Sequence, residues 1–295
     1  MPPAEPSLVG SALTRAVRRL RAGGSPSPRL DAELLVAHVI GRERSWVLAH
    51  PEAALPDPAA LDELVERRAD GEPIAYLRGF KEWRSLRIRT DARALIPRPE
   101  TELLADAAIA EIERRLARGD DVVAWEVATG SGAVTLALAL EFGETIRAGS
   151  LRLIATDLSP DALDLAALNL AEHDVAELVD LAPADLLAPA GDAPPVPDVV
   201  IANLPYVASA EVDERHGSLG FEPRIALDGG PEGLDVLRAL LGQLSERTAR
   251  GWVCLLEIGV GQASAVRSLA PEGASVTVVP DLAGRERVVR VEMPD

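Results

Sequence analysis

Val122-Val123-Ala124-Trp125-Glu126-Val127-Ala128-Thr129-Gly130-Ser131-Gly132 is the stretch on which the fold turns. From Val122 to Val127 it is apolar except at Glu126 and carries β-branched and aromatic side chains, which predicts a strand. Gly130 and Gly132 then break the run, and Ala133 to Phe142 is rich in Ala and Leu, so the segment reads as strand, tight turn, helix. The same order repeats downstream. Leu151 to Thr156 reads as a second strand and Pro160 to His173 as its helix, with a weaker strand near Leu178 to Leu181. Pro197 to Ala202 and Gly251 to Ile258 read as further strands, and Leu234 to Ala249 as a helix between them. Ala188 to Pro197 reads as a loop, and Ser275 to Val279 and Arg287 to Val291 as closing β segments. Strands alternating with helices predict an α/β fold with a mostly parallel, doubly wound, Rossmann-like sheet. Such sheets bind ligands at the carboxyl ends of their strands.

The residues upstream are different. Residues 1 to about 80 contain no strand-like run and read as a small helical bundle. Leu8 to Arg21 is stopped by Gly23-Gly24. Arg29 to Val39 places Leu30, Leu34, Leu35 and Val39 on one face and ends at Gly41, and Ala59 to Ala69 ends at Asp70-Gly71. From Trp83 to Ile96, alternation at Leu86 and Ile88 with a turn at Thr90-Asp91 predicts a short hairpin. Pro97-Arg98-Pro99 forces an extended, stiff segment before a helix from about Glu100 to Leu116. The expected organisation is a helical domain over 1–80, a hairpin linker over 81–95 and a catalytic domain over 96–295.

Composition narrows the classes of function. The chain has 295 residues, 47% of them apolar and 3% aromatic, so a sizeable core built on Ala, Leu and Val is expected. A net charge of −17 speaks against a broad electrostatic grip on nucleic acid. Cys254, the single cysteine, rules out an internal disulfide and any multi-cysteine metal site, and no metal is expected. No apolar stretch is long enough to span a bilayer and no signal-peptide layout opens the chain, so a cytoplasmic location is expected.

Three positions at expected strand ends suggest a nucleoside site. In the Glu126 to Gly132 loop, Gly130 and Gly132 allow a tight turn, but Thr135 stands where a dinucleotide fingerprint would place a third glycine. A ligand without pyrophosphate, such as a methyl donor, needs no more open a loop. Glu126 would hold its ammonium group, with Ala128, Thr129 and Ser131 around it. The loop alone reads equally as a plain strand–helix turn. Asp157 would accept from both ribose hydroxyls, or else cap the helix at Ser159-Pro160. Asp185 would accept from an adenine amine with Leu186 against the ring, or else simply be solvated.

Asn203-Leu204-Pro205-Tyr206 suggests the acceptor. The Asn203 side-chain carbonyl and the Leu204 backbone carbonyl are two acceptors side by side, matching the two N–H bonds of a primary amide or an exocyclic amine. Pro205 stiffens the turn, and Tyr206 offers a flat face to a planar group. The other reading is a loop-forming Asn and Pro with a core Tyr.

Taken together these residues resemble the release factor N5-glutamine methyltransferases, the HemK-like family. The likeness runs through Leu30-Asp31-Ala32-Glu33-Leu34-Leu35, Gly71-Glu72-Pro73-Ile74-Ala75-Tyr76-Leu77, and Leu95-Ile96-Pro97-Arg98-Pro99-Glu100-Thr101-Glu102. It continues through Thr129-Gly130-Ser131-Gly132, Asn203-Leu204-Pro205-Tyr206, Phe221-Glu222-Pro223, Leu256-Glu257-Ile258-Gly259 and Asp281 to Val288. The resemblance implies a class I methyltransferase domain with a mostly parallel seven-stranded sheet, S-adenosylmethionine as cofactor, and a helical N-terminal domain that helps hold the substrate. It implies methylation of the side-chain amide of the glutamine in the Gly-Gly-Gln loop of peptide chain release factors, by a monomer. Asn203, Leu204, Pro205 and Tyr206 would act on the acceptor, with Pro97, Arg98 and Glu222 also on the substrate side. The chain departs from the family's usual Asp, Gly and Pro at Glu126, Ala128 and Leu204. Two other functions compete: adenine-N6 methylation of RNA or DNA, since the tetrapeptide suits either acceptor, and a non-catalytic relative that binds S-adenosylmethionine.

Overall fold

The computed structural model describes residues 7–189, 195–247 and 251–294. The described chain divides into two compact units. One comprises residues up to Phe80 together with Arg215–Phe221, and the other Lys81–Glu214 with Glu222 onward.

The first unit is helical: α1 (Val9–Ala22), α2 (Pro28–Ile40), α3 (Arg44–Ala49), α4 (Pro58–Ala69) and α5 (Ile74–Arg78). Val9, Ala12, Ala16 and Leu20 recur at helical spacing and form the buried face of α1. Gly41 ends α2 in the left-handed conformation at φ 68°, as a C-terminal glycine should. The buried face of α2 differs from the one the sequence suggests. Leu30 is exposed, while Asp31 and Glu33 are buried. Ion pairs explain this. Asp31 meets Arg68 at 2.7 Å and accepts from the hydroxyls of Ser25 and Ser27, and Glu33 meets Arg29 at 2.8 Å and Arg44 at 2.7 Å. Arg68 also donates to the Glu72 carbonyl and to Ser218 Oγ, each at 3.0 Å, which ties the 215–221 segment into this unit.

The chain enters the second unit within a hairpin of β1 (Phe80–Trp83) and β2 (Leu86–Arg89). A turn does begin at Asp91, whose carbonyl accepts from the Ala94 N–H at 3.4 Å, but the expected return strand near Ala94-Ile96 is not formed, so the hairpin does not close there. The turn is instead Arg84-Ser85, both at positive φ (48° and 61°), the geometry of a two-residue hairpin turn. Sequence reasoning missed it because neither residue is the Gly or Asn that such a turn favours.

The rest of the unit runs α6 (Thr101–Leu116), β3 (Val122–Val127), α7 (Ala133–Glu141), α8 (Gly143–Arg147), β4 (Leu151–Asp157), α9 (Pro160–Glu172), β5 (Val179–Asp185), β6 (Ala188–Pro189) and β7 (Val199–Ala202). It then continues through α10 (Ser209–Asp213), α11 (Asp235–Arg247), β8 (Trp252–Glu257), α12 (Ala263–Leu269), β9 (Ser275–Pro280) and β10 (Glu286–Met293). The expected helix end at Ala249 lies outside the described residues, as does much of the expected 188–197 loop. Its start instead forms the two-residue β6, paired antiparallel with Ala184-Asp185.

The sheet order is β6-β5-β4-β3-β7-β8-β10-β9. β5, β4, β3, β7 and β8 are parallel, and β10 runs antiparallel between β8 and β9. This bears out the expected mostly parallel, doubly wound sheet. Alternate strand residues feed two cores. Ala124, Leu153, Ile201 and Leu255 pack with Leu104, Ala108 and Ile112 of α6 and with α7. Trp125, Ile154, Val200 and Cys254 pack with Leu237, Leu240 and Leu244 of α11 and with Val266 of α12. Covering both faces forces each central strand to be apolar throughout. β3 lies between β4 and β7, so the chain switches direction across the sheet there, and a crevice opens at the carboxyl ends of these strands.

Candidate active site

A cavity of about 600 Å³ occupies that crevice. Its wall is drawn from the 93–98 segment, the β3–α7 loop, the ends of β4 and β5, residues Asn203 and Pro205, and the 223–228 segment.

Glu126, the last polar residue of β3, is buried at the base of the glycine loop. Its Oε2 accepts from Thr129 Oγ1 at 2.9 Å, from the Thr135 backbone N–H at 2.8 Å and from the Thr135 hydroxyl, while Oε1 takes part in none of these bonds. Burial pushes its pKa up to about 7, with a further contribution from the nearby Asp157 charge and opposition from the Thr135 and Thr129 hydrogen bonds. Thr135, which stands where the dinucleotide fingerprint wants glycine, therefore holds the carboxylate in place. Ala128 sits at φ 56°, Gly130 at φ 56° and Gly132 at φ 76°, so the loop turns through the left-handed region three times. Gly132 is required for packing: a Cβ there would lie 3.0 Å from that of Ala166 in α9.

Asp157 ends β4 and lines the same cavity. Its carboxylate accepts from the backbone N–H groups of Gly130 and Ser159, each at 2.9 Å, and burial raises its pKa. The cap of α9 is Ser159, whose hydroxyl accepts from Ala162 N–H. Helix capping is thus not the role of Asp157; it joins the second strand end to the glycine loop. Asp185 is exposed at the rim, next to buried Leu186, and both line the cavity.

The acceptor tetrapeptide leaves the end of β7. Asn203 lines the cavity and donates from Nδ2 to Thr101 Oγ1 at 3.2 Å, which directs the amide and leaves its carbonyl oxygen as the available acceptor. Pro205 lines the cavity as well. Leu204 is buried in the core, and the Tyr206 side chain is not part of the cavity wall. Burial, with the nearby Glu257 charge, pushes the Tyr206 pKa up to about 12. Glu222 also stays off the cavity wall. It is buried, accepting from the Ile96 N–H at 3.0 Å and from Arg98 at 2.5 Å. Pro97 and Arg98 do line the cavity, held there by Glu222 and by the Trp83 indole, which donates to the Arg98 carbonyl at 2.9 Å.

Several residues that shape the site escaped sequence reasoning. Gly229 and Gly233 lie against the tetrapeptide backbone. A Cβ on Gly229 would come within 2.6 Å of the Pro205 carbonyl oxygen, and one on Gly233 within 2.2 Å of that of Tyr206. Gln262 donates to the carbonyls of both Tyr206 and Gly233. The glycine cluster downstream of Phe221-Glu222-Pro223 was a readable signal for this packing. Thr101, which lines the cavity, gave none beyond its place in a family-like segment.

The sheet order and a cavity lined by carboxylates at successive strand ends define a class I, S-adenosylmethionine-dependent methyltransferase. The hMettl16 catalytic domain has the same fold, with a TM-score of 0.52 over 80% of this chain and 81% of that chain at 12% identity, a likeness of fold alone. Within the class, the chain belongs to the release factor glutamine methyltransferase family. It is 38% identical to the enzyme of that name from Moorella thermoacetica, over 94% of this chain and 95% of that one. To the Escherichia coli enzyme it is 36% identical over 86% and 87% of the two chains. Residues 11–79 match the PrmC N-terminal domain. The resemblance drawn from the sequence is borne out.

Proposed function

We propose that this chain methylates the side-chain amide of the glutamine in the Gly-Gly-Gln loop of peptide chain release factors. The observation that carries this reading is one cavity lined both by Glu126, Asp157 and Asp185 and by Asn203 and Pro205. The donor set fits S-adenosylmethionine: Glu126 for an ammonium group, Asp157 for two ribose hydroxyls, and Asp185 and Leu186 for adenine, while the lining arginines Arg93, Arg98 and Arg224 are each paired with a carboxylate. When bound, that cofactor supplies an electrophilic methyl group on a sulfonium. Thr129, Gly130, Ser131 and Gly132 supply the close backbone turn, and Ala128 leads into it.

An amide nitrogen shares its lone pair with its carbonyl and is a poor nucleophile. Asn203 Oδ1 and the Leu204 carbonyl accept its two N–H bonds, which aims the nitrogen and strengthens those bonds as positive charge grows on it. Pro205 and Tyr206 fix the tetrapeptide. Pro97 and Arg98, braced by Glu222, wall the site and exclude water. The helical unit helps hold the release factor. The protein acts as a monomer in the cytoplasm, without sequence-specific contacts to nucleic acid.

The test is transfer of labelled methyl from S-adenosylmethionine to purified release factor, and again to a variant with Gln→Ala in its Gly-Gly-Gln loop. Label on the wild-type factor alone is expected; label that persists on the variant would sink the glutamine reading. Asn203→Ala should abolish transfer while leaving cofactor binding nearly intact, and equal loss of both would make Asn203 mainly structural.

A further inference from the structure

Asp185 pairs with Ala188 across the β5–β6 hairpin, so Leu186 and Leu187 make up its whole turn. Of the two, Leu186 alone lies at positive φ (57°). The first central position of such a two-residue turn belongs to glycine, and a leucine there is strained. Strain of this kind persists only where the surroundings hold it, and it gathers at ligand sites. Here it has a geometric consequence. Neighbouring side chains on a strand point to opposite faces, yet Asp185 and Leu186 both line the cavity. The left-handed residue breaks the alternation at the cavity wall.

The groups that hold the turn come from elsewhere in the fold. Gln243, on α11, spans Leu186 with its side-chain amide. Its Oε1 accepts from the Leu187 N–H at 2.8 Å, and its Nε2 donates to the Asp185 carbonyl at 3.3 Å. The Leu186 carbonyl itself faces the Thr156 hydroxyl near the end of β4. That hydroxyl has one proton to give, and the Leu186 carbonyl at 3.3 Å is nearer than that of Glu126 at 3.5 Å. Thr156 Oγ1 in turn accepts from the buried Trp125 indole at 3.2 Å. Three successive residues of backbone are thus fixed, two of them by one glutamine.

We infer that Gln243 is a positioning residue for the base of the cofactor: its amide clamps the strained turn that sets Asp185 and Leu186 in the cavity wall. This rests on the adenine role proposed for those two residues. Gln243 touches neither cofactor nor acceptor in this role, and acts only through the turn. Without the clamp, the turn relaxes away from the left-handed conformation, the Asp185 carboxylate loses its fixed direction, and Leu186 no longer holds its place in the wall.

Calorimetry on the full chain tests this with two probes, S-adenosylhomocysteine and its inosine counterpart, which carries a carbonyl in place of the adenine amine. The wild type should prefer the adenine compound, because only the amine can donate to Asp185. Gln243→Met keeps the length of the side chain and removes both hydrogen bonds. It should weaken the adenine compound by about tenfold, the scale of two lost hydrogen bonds, and the inosine compound by less, so that the preference shrinks by about threefold or more. The KM for S-adenosylmethionine should rise with it, while kcat at saturation stays within about twofold. Equal weakening toward both probes, or a fall in kcat as large as the rise in KM, would reduce Gln243 to packing and overturn the inference. Asp185→Ala separates the clamp from the adenine reading itself. It should lose the preference, and adding Gln243→Met should shrink it no further. A preference lost in Asp185→Ala but kept in Gln243→Met would overturn the clamp and leave the adenine reading standing. A preference kept in both would reject the adenine reading and the clamp with it.

Discussion

Ala128 holds a backbone conformation that costs an L-residue energy. Its φ of 56° puts Cβ close to the following carbonyl, and glycine, the family's usual residue there, escapes that clash. Ala128→Gly should raise stability by up to about 1 kcal/mol, relief of strain offset partly by the greater freedom of glycine in the unfolded chain. The midpoint of urea unfolding measures this, and a fall would mean that the methyl group's packing outweighs the strain. Glu126, two residues earlier, ties cofactor affinity to pH. Its folded pKa is raised to about 7 by burial, so below that value it is largely protonated and cannot pair with an ammonium group. Affinity for S-adenosylmethionine should therefore rise with pH and level off above 7, being about tenfold weaker at pH 6 than at pH 8. For stability the sign is reversed: the raised pKa makes the folded state lose stability between the unfolded value of 4.5 and about 7. Calorimetry on the wild type and on Glu126→Gln separates this group from Asp157. A slope that survives in the Gln variant would assign the titration elsewhere.

At the scale of elements, the sheet was legible because burial on both faces leaves a plain mark. Val122–Val127 and Trp252–Glu257 are apolar runs with no competing interpretation. The bundle's outline was legible from spacing, but not the buried face of α2, since Asp31 and Glu33 look like surface residues until Arg68 and Arg44 arrive from other helices and Arg29 pairs from one turn away. The hairpin was legible as alternation and misplaced in detail, because Arg84-Ser85 carries no turn signature. In the site, Glu126, Asp157 and Asn203 were found from strand ends. Thr101 was not, because its significance lies in meeting Asn203 from another element. The loop at 229–233 belongs to the same class. Gly233→Ala places a Cβ 2.2 Å from the Tyr206 carbonyl oxygen at a φ of 70°. It should cost about 2 kcal/mol or more in stability from overpacking and backbone strain together. Methyl transfer should fall further than cofactor affinity, since the carboxylate side of the cavity is built from other loops. Equal falls in a transfer assay and in calorimetry would show that the two halves of the cavity do not respond separately.

For the whole molecule, the net charge of −17 bears on how the substrate arrives. Release factors work against ribosomal RNA, and a loop that faces RNA is expected to be flanked by cationic residues. An acidic enzyme attracts such a tip over a distance set by the ionic atmosphere, about 10 Å at 0.1 M salt. That attraction accelerates encounter far more than it strengthens the docked complex. Salt should therefore act on one kinetic parameter. The kcat/KM for release factor is expected to fall by roughly fivefold between 0.05 M and 0.5 M salt, because screening slows encounter. The kcat at saturating factor should hardly change, since the acceptor bonds at Asn203 form inside a cavity from which bulk ions are largely excluded. The competing adenine reading predicts a different pattern. An acidic chain acting on RNA would have to overcome repulsion, so raising salt would help encounter unless a local basic patch dominated, in which case RNA affinity itself would fall steeply with salt. Measuring kcat/KM and kcat for release factor, with RNA binding followed over the same salt series, separates the patterns. A flat kcat/KM would mean that the charge of −17 serves solubility rather than recognition.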